Sequence, residues 1–303
     1  MTIPEINEKI STEISTPLFL KGKPLVSVSM ITYNHGKYIE EAINGVLMQE
    51  TDFDVELVIS NDNSPDQTDA IIQRIIKEHP KGYWINYIKH EKNLGMMPNL
   101  IDNYKQCTGE YIAICEGDDY WTDPKKLQQQ VAFLENNPEY VITYTDIQPF
   151  NLDGNLKNIY GGATRDLEAI ELQNCISIST MTTCYRNVLK EFPPEALIAR
   201  FGDLFIWSLL GQYGKGKFLG DIKPTKYRVH NGGVFSKKNP RQKLIMSQIT
   251  FGALFAYYDR IGNQELADYF QKRNLRTSIM ALRLYPLLQI FLKKFWLYMN
   301  PNG

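Results

Sequence analysis

A chain of 303 residues with 43% hydrophobic and 22% charged residues has the composition of an ordinary globular protein, large enough for one sizeable domain with an appended segment. The formal net charge of −1 leaves no global basic field to hold nucleic acid, so a nucleic-acid partner is not expected. None of the four cysteines, Cys107, Cys115, Cys175 and Cys184, stands in a CxxC pair, and a chain of this size needs no disulfide framework. Residues 1–23 mix Glu, Lys, Asn and Thr without the apolar run of a secretory signal, and no stretch approaches the roughly twenty apolar residues of a membrane span. Reduced thiols and a cytoplasmic location are the expectation.

After this polar leader, Val26–Ile31 reads as a short strand between Pro24 and the Asn34-His35-Gly36 turn. Ile39, Ala42, Ile43, Val46 and Leu47 then recur at helical spacing. Glu56–Ile59 is a second strand and Asp69–Glu78 a second helix, with Ile71, Ile72, Ile75 and Ile76 as its buried face. The alternation continues with a strand at Ile85–Ile88, a helix from about Pro98 to Lys105 and an apolar strand at Tyr111–Cys115. Asp123 as N-cap and Pro124 at the first helical position open a helix running to about Glu135, and Val141–Thr145 returns to the sheet. Such alternation implies an α/β fold, a Rossmann-like, mainly parallel sheet with helices on both faces. Asn151-Leu152-Asp153-Gly154 and Tyr160-Gly161-Gly162 are turn and loop signals, Leu204–Leu210 reads as a helix and Lys217–Leu219 as a strand. From Arg241 onward the pattern is helical, broken at Gly262-Asn263.

In an open parallel sheet the ligand sits beyond the carboxyl ends of the strands, where loops and helix N-termini converge. Polar loops follow each of the first four strands: Thr32-Tyr33-Asn34-His35, Ser60-Asn61-Asp62-Asn63-Ser64, Asn93-Leu94-Gly95 and Glu116-Gly117-Asp118-Asp119. Glu116, Asp118 and Asp119 would repel each other in a cleft unless protons or a cation neutralised them, and oxygen ligands suit a hard ion such as Mg2+ or Mn2+. An acidic cluster alone reads as a solvated turn. Its place after the most apolar strand, with Tyr120 and Trp121 following, points to a site instead.

These motifs, in this order, resemble glycosyltransferase family 2, of the GT-A fold. The likeness runs from Thr32-Tyr33-Asn34 through Asn61-Asp62-Asn63-Ser64-Pro65-Asp66, Asn93-Leu94-Gly95 and Glu116-Gly117-Asp118-Asp119-Tyr120-Trp121. It continues through Gly202-Asp203-Leu204 to Tyr227-Arg228-Val229-His230-Asn231-Gly232-Gly233, covering roughly residues 24–236. The resemblance implies an inverting, metal-dependent glycosyltransferase acting on a UDP-sugar donor and a carbohydrate or lipid-linked sugar acceptor, in cell-surface polysaccharide or lipopolysaccharide synthesis. It divides the chain into a leader at 1–23, a GT-A domain at 24–236 (a nucleotide-binding half at 24–122 and an acceptor half at 123–236) and a helical extension at 237–303.

Residue by residue, the resemblance puts Thr32, Tyr33, Asn34, Asn61, Asn93 and Gly95 at the nucleotide. Asp62 matches the acceptor of the uracil N3-H, with Asn61 standing where many members carry another Asp. Glu116-Gly117-Asp118 matches the DXD motif with Glu in first place, making Asp118 a metal and diphosphate ligand. Asp203 matches the general base, His230 a position that completes the metal shell, and Asp119, Trp121 and Arg228 flank the diphosphate or acceptor. From the residues alone, Asp62 and Asp203 also read as turn or cap residues, and Gly95 as a positive-φ position. His35, His79 and His90 receive no role.

Two rival functions stay open: a nucleotidyltransferase, for which Thr32–Lys37 is short of glycine, and a sugar-nucleotide-binding partner that has lost catalysis. Residues 286–299 form a broad apolar helix face bearing Gln289, Lys293 and Lys294, which either packs on the domain or lies peripherally on the inner face of the cell membrane.

Overall fold

The computed structural model describes residues 13–15, 22–231, 233, 238–281, 289 and 291–294. In chain order the elements begin with β1 (Glu13–Ser15), β2 (Val26–Thr32), α1 (Ile39–Leu47), β3 (Val55–Asn61), α2 (Thr68–Glu78), β4 (Ile85–Lys89) and α3 (Met96–Gln106). There follow β5 (Tyr111–Ile114), α4 (Lys126–Asn136), β6 (Tyr140–Tyr144), β7 (Ile147–Asn151), β8 (Gly154–Asn155), α5 (Ala169–Gln173) and β9 (Cys184–Arg186). The chain closes with α6 (Gly202–Leu210), β10 (Lys215–Phe218), β11 (Thr225–Arg228), α7 (Pro240–Arg260) and α8 (Gln264–Ala281).

Eight strands form the main sheet in the order β1-β4-β3-β2-β5-β9-β6-β10. The centre, β4-β3-β2-β5, is parallel, with Val28 level with both Leu57 and Ala113. β9 enters antiparallel between β5 and β6, and β1 pairs antiparallel along β4. The polar leader therefore contributes an edge strand, which three residues without hydrophobic periodicity do not announce. Strand order runs outward in opposite directions from β2 and β5, so a crevice opens beyond their carboxyl ends. A smaller sheet, β11-β7-β8, is tied to this edge by the bridge between Tyr120 and Lys226.

The two faces of the sheet carry separate cores. On one, Val26, Val28 and Met30 of β2 meet the fully buried Ile39, Ile43 and Val46 of α1, with Ile72 of α2 and Leu127 of α4. On the other, Ser27 and Ser29 of the same strand are buried but polar. Ser29 Oγ donates to Asn103 Oδ1 (2.6 Å), and Asn103 Nδ2 donates to the Val58 carbonyl (2.9 Å). A polar group buried there costs free energy unless it is hydrogen-bonded, and the asparagine that α3 presents to the sheet supplies the partner for Ser29. Of the four isoleucines expected inside α2, Ile72 and Ile75 are buried while Ile71 and Ile76 are half-buried. All four cysteines are free and buried.

Two expectations need correction. α4 starts at Lys126 rather than at Pro124; Asp123 accepts from Lys125 N (2.9 Å) as a cap does, but Pro124 and Lys125 form a turn, and the other Asp123 oxygen accepts from Lys223 N (3.1 Å), joining that turn to a distant loop. The C-terminal helices are also not merely appended. Phe251, Leu254 and Tyr258 of α7 and Leu266, Ala267 and Phe270 of α8 are buried in the same core as Ile112, Ile114 and Trp207. Of the proposed amphipathic segment 286–299, only residues 289 and 291–294 fall within the described residues. There Phe291 and Leu292 are 70% and 57% exposed.

Candidate active site

The turn after β2 is locked to the loop after β3. Asn34, at φ 60°, donates its backbone N-H to Ser64 Oγ (2.9 Å), while Gly36 N and Thr68 N donate to Asp66 (2.8 and 3.1 Å). Asp66 thus serves the start of α2, leaving Asp62 for another task. Its two carboxylate oxygens accept from Leu94 N (2.6 Å) and Gly95 N (2.9 Å), and Asn93 Nδ2 returns a bond to the Asp62 carbonyl (3.2 Å). Gly95 takes φ 87°, the positive φ its sequence context suggested, and α3 begins directly after it.

A single cavity of about 850 Å3 runs from these loops across the sheet edge to the C-terminal helices. Thr32, Tyr33, Asp62, Asn93 and Gly95 line one end, and Glu116, Asp118 and Asp119 the middle. Asp203 and the loop from Cys175 to Met181 line the far side. Gly117 lies behind the lining, where a Cβ would come within 2.8 Å of Thr32 Oγ1 and 2.9 Å of His35 Nδ1. Glycine there lets the acidic turn press against the end of β2.

Besides Gly117, three more residues expected at the site are placed elsewhere. Trp121 is 1% exposed within the core and donates Nε1-H to the Met181 carbonyl (2.8 Å), so it shapes the opposite wall from behind rather than touching a ligand. Asn61 is fully buried, its amide committed to Tyr87 Oη (2.9 Å) and Ser64 N (2.9 Å). Asn34 is a turn residue outside the cavity lining. Arg228 does line the cavity, but its guanidinium donates to the Asp118 carbonyl (2.9 Å) and pairs with Glu41, packed against the rings of Tyr38 and Phe150. Asp119 is 2% exposed and accepts from Arg228 N (2.7 Å), holding β11 to the acidic turn.

Asp118 is the best-furnished carboxylate. His230 Nε2 lies 3.0 Å and His35 Nε2 3.8 Å from its Oδ2. Burial works against its ionisation, but the His230 hydrogen bond and the charges of both histidines outweigh that and hold its pKa below the usual value. Burial lowers the His35 pKa, favouring the neutral imidazole that a metal ligand must be. Glu116 is pushed up to about 8, first by burial, then by Asp118 and Asp203. Burial, with Asp118 and Glu116 beside it, also raises Asp119 well above the usual range. Asp203 sits in the first turn of α6, with Phe201 rather than itself as N-cap. Burial raises its pKa against hydrogen bonds that include Thr180 Oγ1 at 3.3 Å.

An ionised carboxylate with imidazole nitrogens beside it, and further carboxylates within the same turn, suits a divalent cation. His230 and Asp118, hydrogen-bonded to each other at 3.0 Å, are the residues that would hold such an ion. Among the described residues no group of three or more His, Cys, Asp or Glu forms a ready-made cage.

The sequence reading missed His35, though it follows β2 directly in a loop already singled out. It also missed Thr180, in the segment whose patterning is loosest, and the cavity-lining Arg200, Lys243 and Arg273, which lie on or beside helices whose cavity-facing side only tertiary packing selects.

The sequence profile of glycosyl transferase family 2 matches residues 27–192. An uncharacterised Mycobacterium tuberculosis protein is 36% identical over 164 residues, 54% of this chain and 47% of that one, so the match spans about half that relative's length. An uncharacterised glycosyltransferase of Methanocaldococcus jannaschii is 27% identical over 230 residues, covering 73% of this chain and 77% of the other. Among solved structures, Staphylococcus aureus TarS 1-349 in complex with UDP-GlcNAc superposes with a TM-score of 0.60 at 18% identity, over 86% of this chain and 76% of that one. The mannosyltransferase of Pyrobaculum calidifontis, in complex with GDP-Man and Mn2+, gives 0.56 at 16% identity, over 94% and 83%. Sheet order, site position and these likenesses agree on the GT-A fold, and the chain belongs to glycosyl transferase family 2.

Proposed function

We propose that this protein transfers a sugar, with inversion, from a UDP-sugar to a hydroxyl of a carbohydrate or lipid-linked acceptor, in the synthesis of cell-surface polysaccharide or lipopolysaccharide. The observation that carries the reading is the division of one cavity between Asp118, with its histidines, and Asp203 across from the acidic turn. Asp118 and His230 would hold Mn2+ or Mg2+, with His35 close enough to assist. When bound, the ion neutralises charge on the leaving diphosphate.

Asp203 is the general base. Its raised pKa strengthens it as a proton acceptor, and Thr180 fixes its orientation, so it can take the proton of the acceptor hydroxyl as that oxygen attacks the anomeric carbon from the side opposite the leaving group. Each carboxylate oxygen of Asp62 keeps a second lone pair beyond its backbone bond, and that capacity supports acceptance from an imide N-H such as that of uracil. The choice of a uridine donor therefore rests on Asp62. A cytoplasmic location at the inner membrane face is part of the proposal, supported by exposed Phe291 and Leu292 beside exposed Lys293 and Lys294.

A panel of UDP-sugars assayed for hydrolysis and transfer, with and without Mn2+, tests the reading. Metal-dependent turnover of at least one donor is expected, with most turnover and most metal-dependent UDP affinity lost in Asp118→Asn. Metal-dependent UDP binding without turnover of any donor would leave a binding protein instead.

A further inference from the structure

The cavity is electrically divided. Its carboxylates, Asp62, Glu116, Asp118, Asp119 and Asp203, all come from the sheet-edge loops and the start of α6. α7 and α8 contribute Lys243 and Arg273 and no carboxylate, and Arg200 joins them from the turn before α6. Thr250 of α7 fixes that turn, its Oγ1 accepting from both Arg200 N and Phe201 N at 3.0 Å. Arg273 lies 4.3 Å above the Phe251 ring and donates to the Asn174 carbonyl. The neighbouring Cys175 Sγ reaches the Leu204 carbonyl (3.2 Å), so a single residue step joins Arg273 to the helix turn that carries Asp203.

Among the described residues neither Arg200 nor Arg273 forms a salt bridge with a carboxylate. Arg273, half-buried in a cleft lined by Phe201, Leu204, Met246 and Phe251, gives up part of its hydration without a carboxylate counter-ion, unless a ligand brings one. The donor diphosphate is already accounted for at Asp118, on the sheet side of the cavity.

We propose that Arg200, Lys243 and Arg273 form an oxyanion subsite for the acceptor, which therefore carries a phosphate or carboxylate group near the hydroxyl that Asp203 deprotonates. The subsite deepens the glycosyltransferase reading and rests on it for the word acceptor. All three residues lie outside the span matched by the family profile, so acceptor selection belongs to this chain's own C-terminal half. Guanidinium groups offer the planar forks that bind either oxyanion in two-point fashion.

Calorimetric titration of the full chain in metal-free buffer, with glycerol 3-phosphate, glucuronate and uncharged glycerol, tests the subsite without calling on the donor. Saturable binding of at least one anion is expected, weakened by salt, with no binding of glycerol. The tighter anion tells phosphate from carboxylate. Arg200→Gln and Arg273→Gln should each weaken it about tenfold, the loss of one charge-assisted contact. Arg200 is exposed, so its substitution does not endanger the fold even if that of Arg273 does. An Arg200→Gln/Arg273→Gln double variant that binds like wild type overturns the subsite, as does a wild type that binds neither anion. UDP titration with Mn2+ on the same proteins is read separately: its failure removes the donor reading and leaves the anion result standing.

Discussion

At the scale of single residues, Asp203 separates chemistry from binding. If it is the proposed general base, Asp203→Asn should lower kcat about a hundredfold to ten-thousandfold while UDP affinity hardly changes. The same burial that strengthens the base costs stability. A carboxyl whose folded pKa is raised keeps its proton longer in the folded state, so stability falls as pH climbs from the ordinary value of 3.8 through the folded pKa. Asp203→Asn should therefore melt higher than wild type at pH values above that window and level with it below. A variant that melts lower at all pH values would make Asp203 a structural residue. Asp62 offers a second test. Wild type should prefer UDP to CDP, since cytosine has no N3-H, and Asp62→Ala should narrow the gap while loosening the loop at Leu94 and Gly95. Equal wild-type affinities for the two nucleotides would remove the base contact.

At the scale of elements, the wall opposite the acidic turn is held from behind. Lys126 of α4 is fully buried, its Nζ donating to the Thr182 carbonyl (2.6 Å) and to Gln130 Oε1 (2.7 Å), while Trp121 donates to the Met181 carbonyl (2.8 Å). These bonds fix the short turn Thr180–Thr182 and with it the hydroxyl on Asp203. Burial pushes the Lys126 pKa down to about 7 from 10.5. Between those values the unfolded chain binds the extra proton, so stability should rise with pH, by up to about 1.4 kcal/mol per pH unit. Lys126→Met should flatten that rise between pH 7 and 10, read by thermal melts, and lower kcat through the displaced turn. An unchanged slope would show that Lys126 keeps its charge in the fold. The sequence marks α4 and its polar Lys-x-x-x-Gln spacing, yet nothing in it pairs Lys126 with Thr182, 56 positions away.

At the scale of the whole molecule, the C-terminal helices belong to both the core and the cavity. Ending the chain after residue 236 would strip Phe251, Leu254, Tyr258 and Phe270 from the core they share with Phe205 and Trp207. The truncated chain should lose cooperative unfolding and bind 8-anilinonaphthalene-1-sulfonate, as loosened cores do. A sharp melt close to that of the full chain would instead make the extension separable. The same packing brings Lys243 and Arg273 into the cavity lining, so the shape and charge of that end depend on helices beyond the family span.

What the sequence determined by itself is local. The Val26–Ile31 and Tyr111–Cys115 apolar runs, the helical spacing of Ile39 to Leu47 and the polar loops after each strand follow from short-range periodicity and from the geometry of parallel sheets. They were enough to locate the crevice and the loops that carry Asp62 and Asp118, whereas Asp203 was singled out only by the resemblance to glycosyltransferase family 2. Tertiary structure decided which of those polar residues face the cavity. Asn61 and Trp121 sit in the right loops but turn inward, because Tyr87 and Met181 offer their polar atoms partners that burial requires. It also brought His35 toward Asp118, inserted β9 between β5 and β6, and closed the far end with cations from α7 and α8. Those placements depend on contacts between residues tens to more than a hundred positions apart, and hydrophobic periodicity reports only which way a residue faces on its own element.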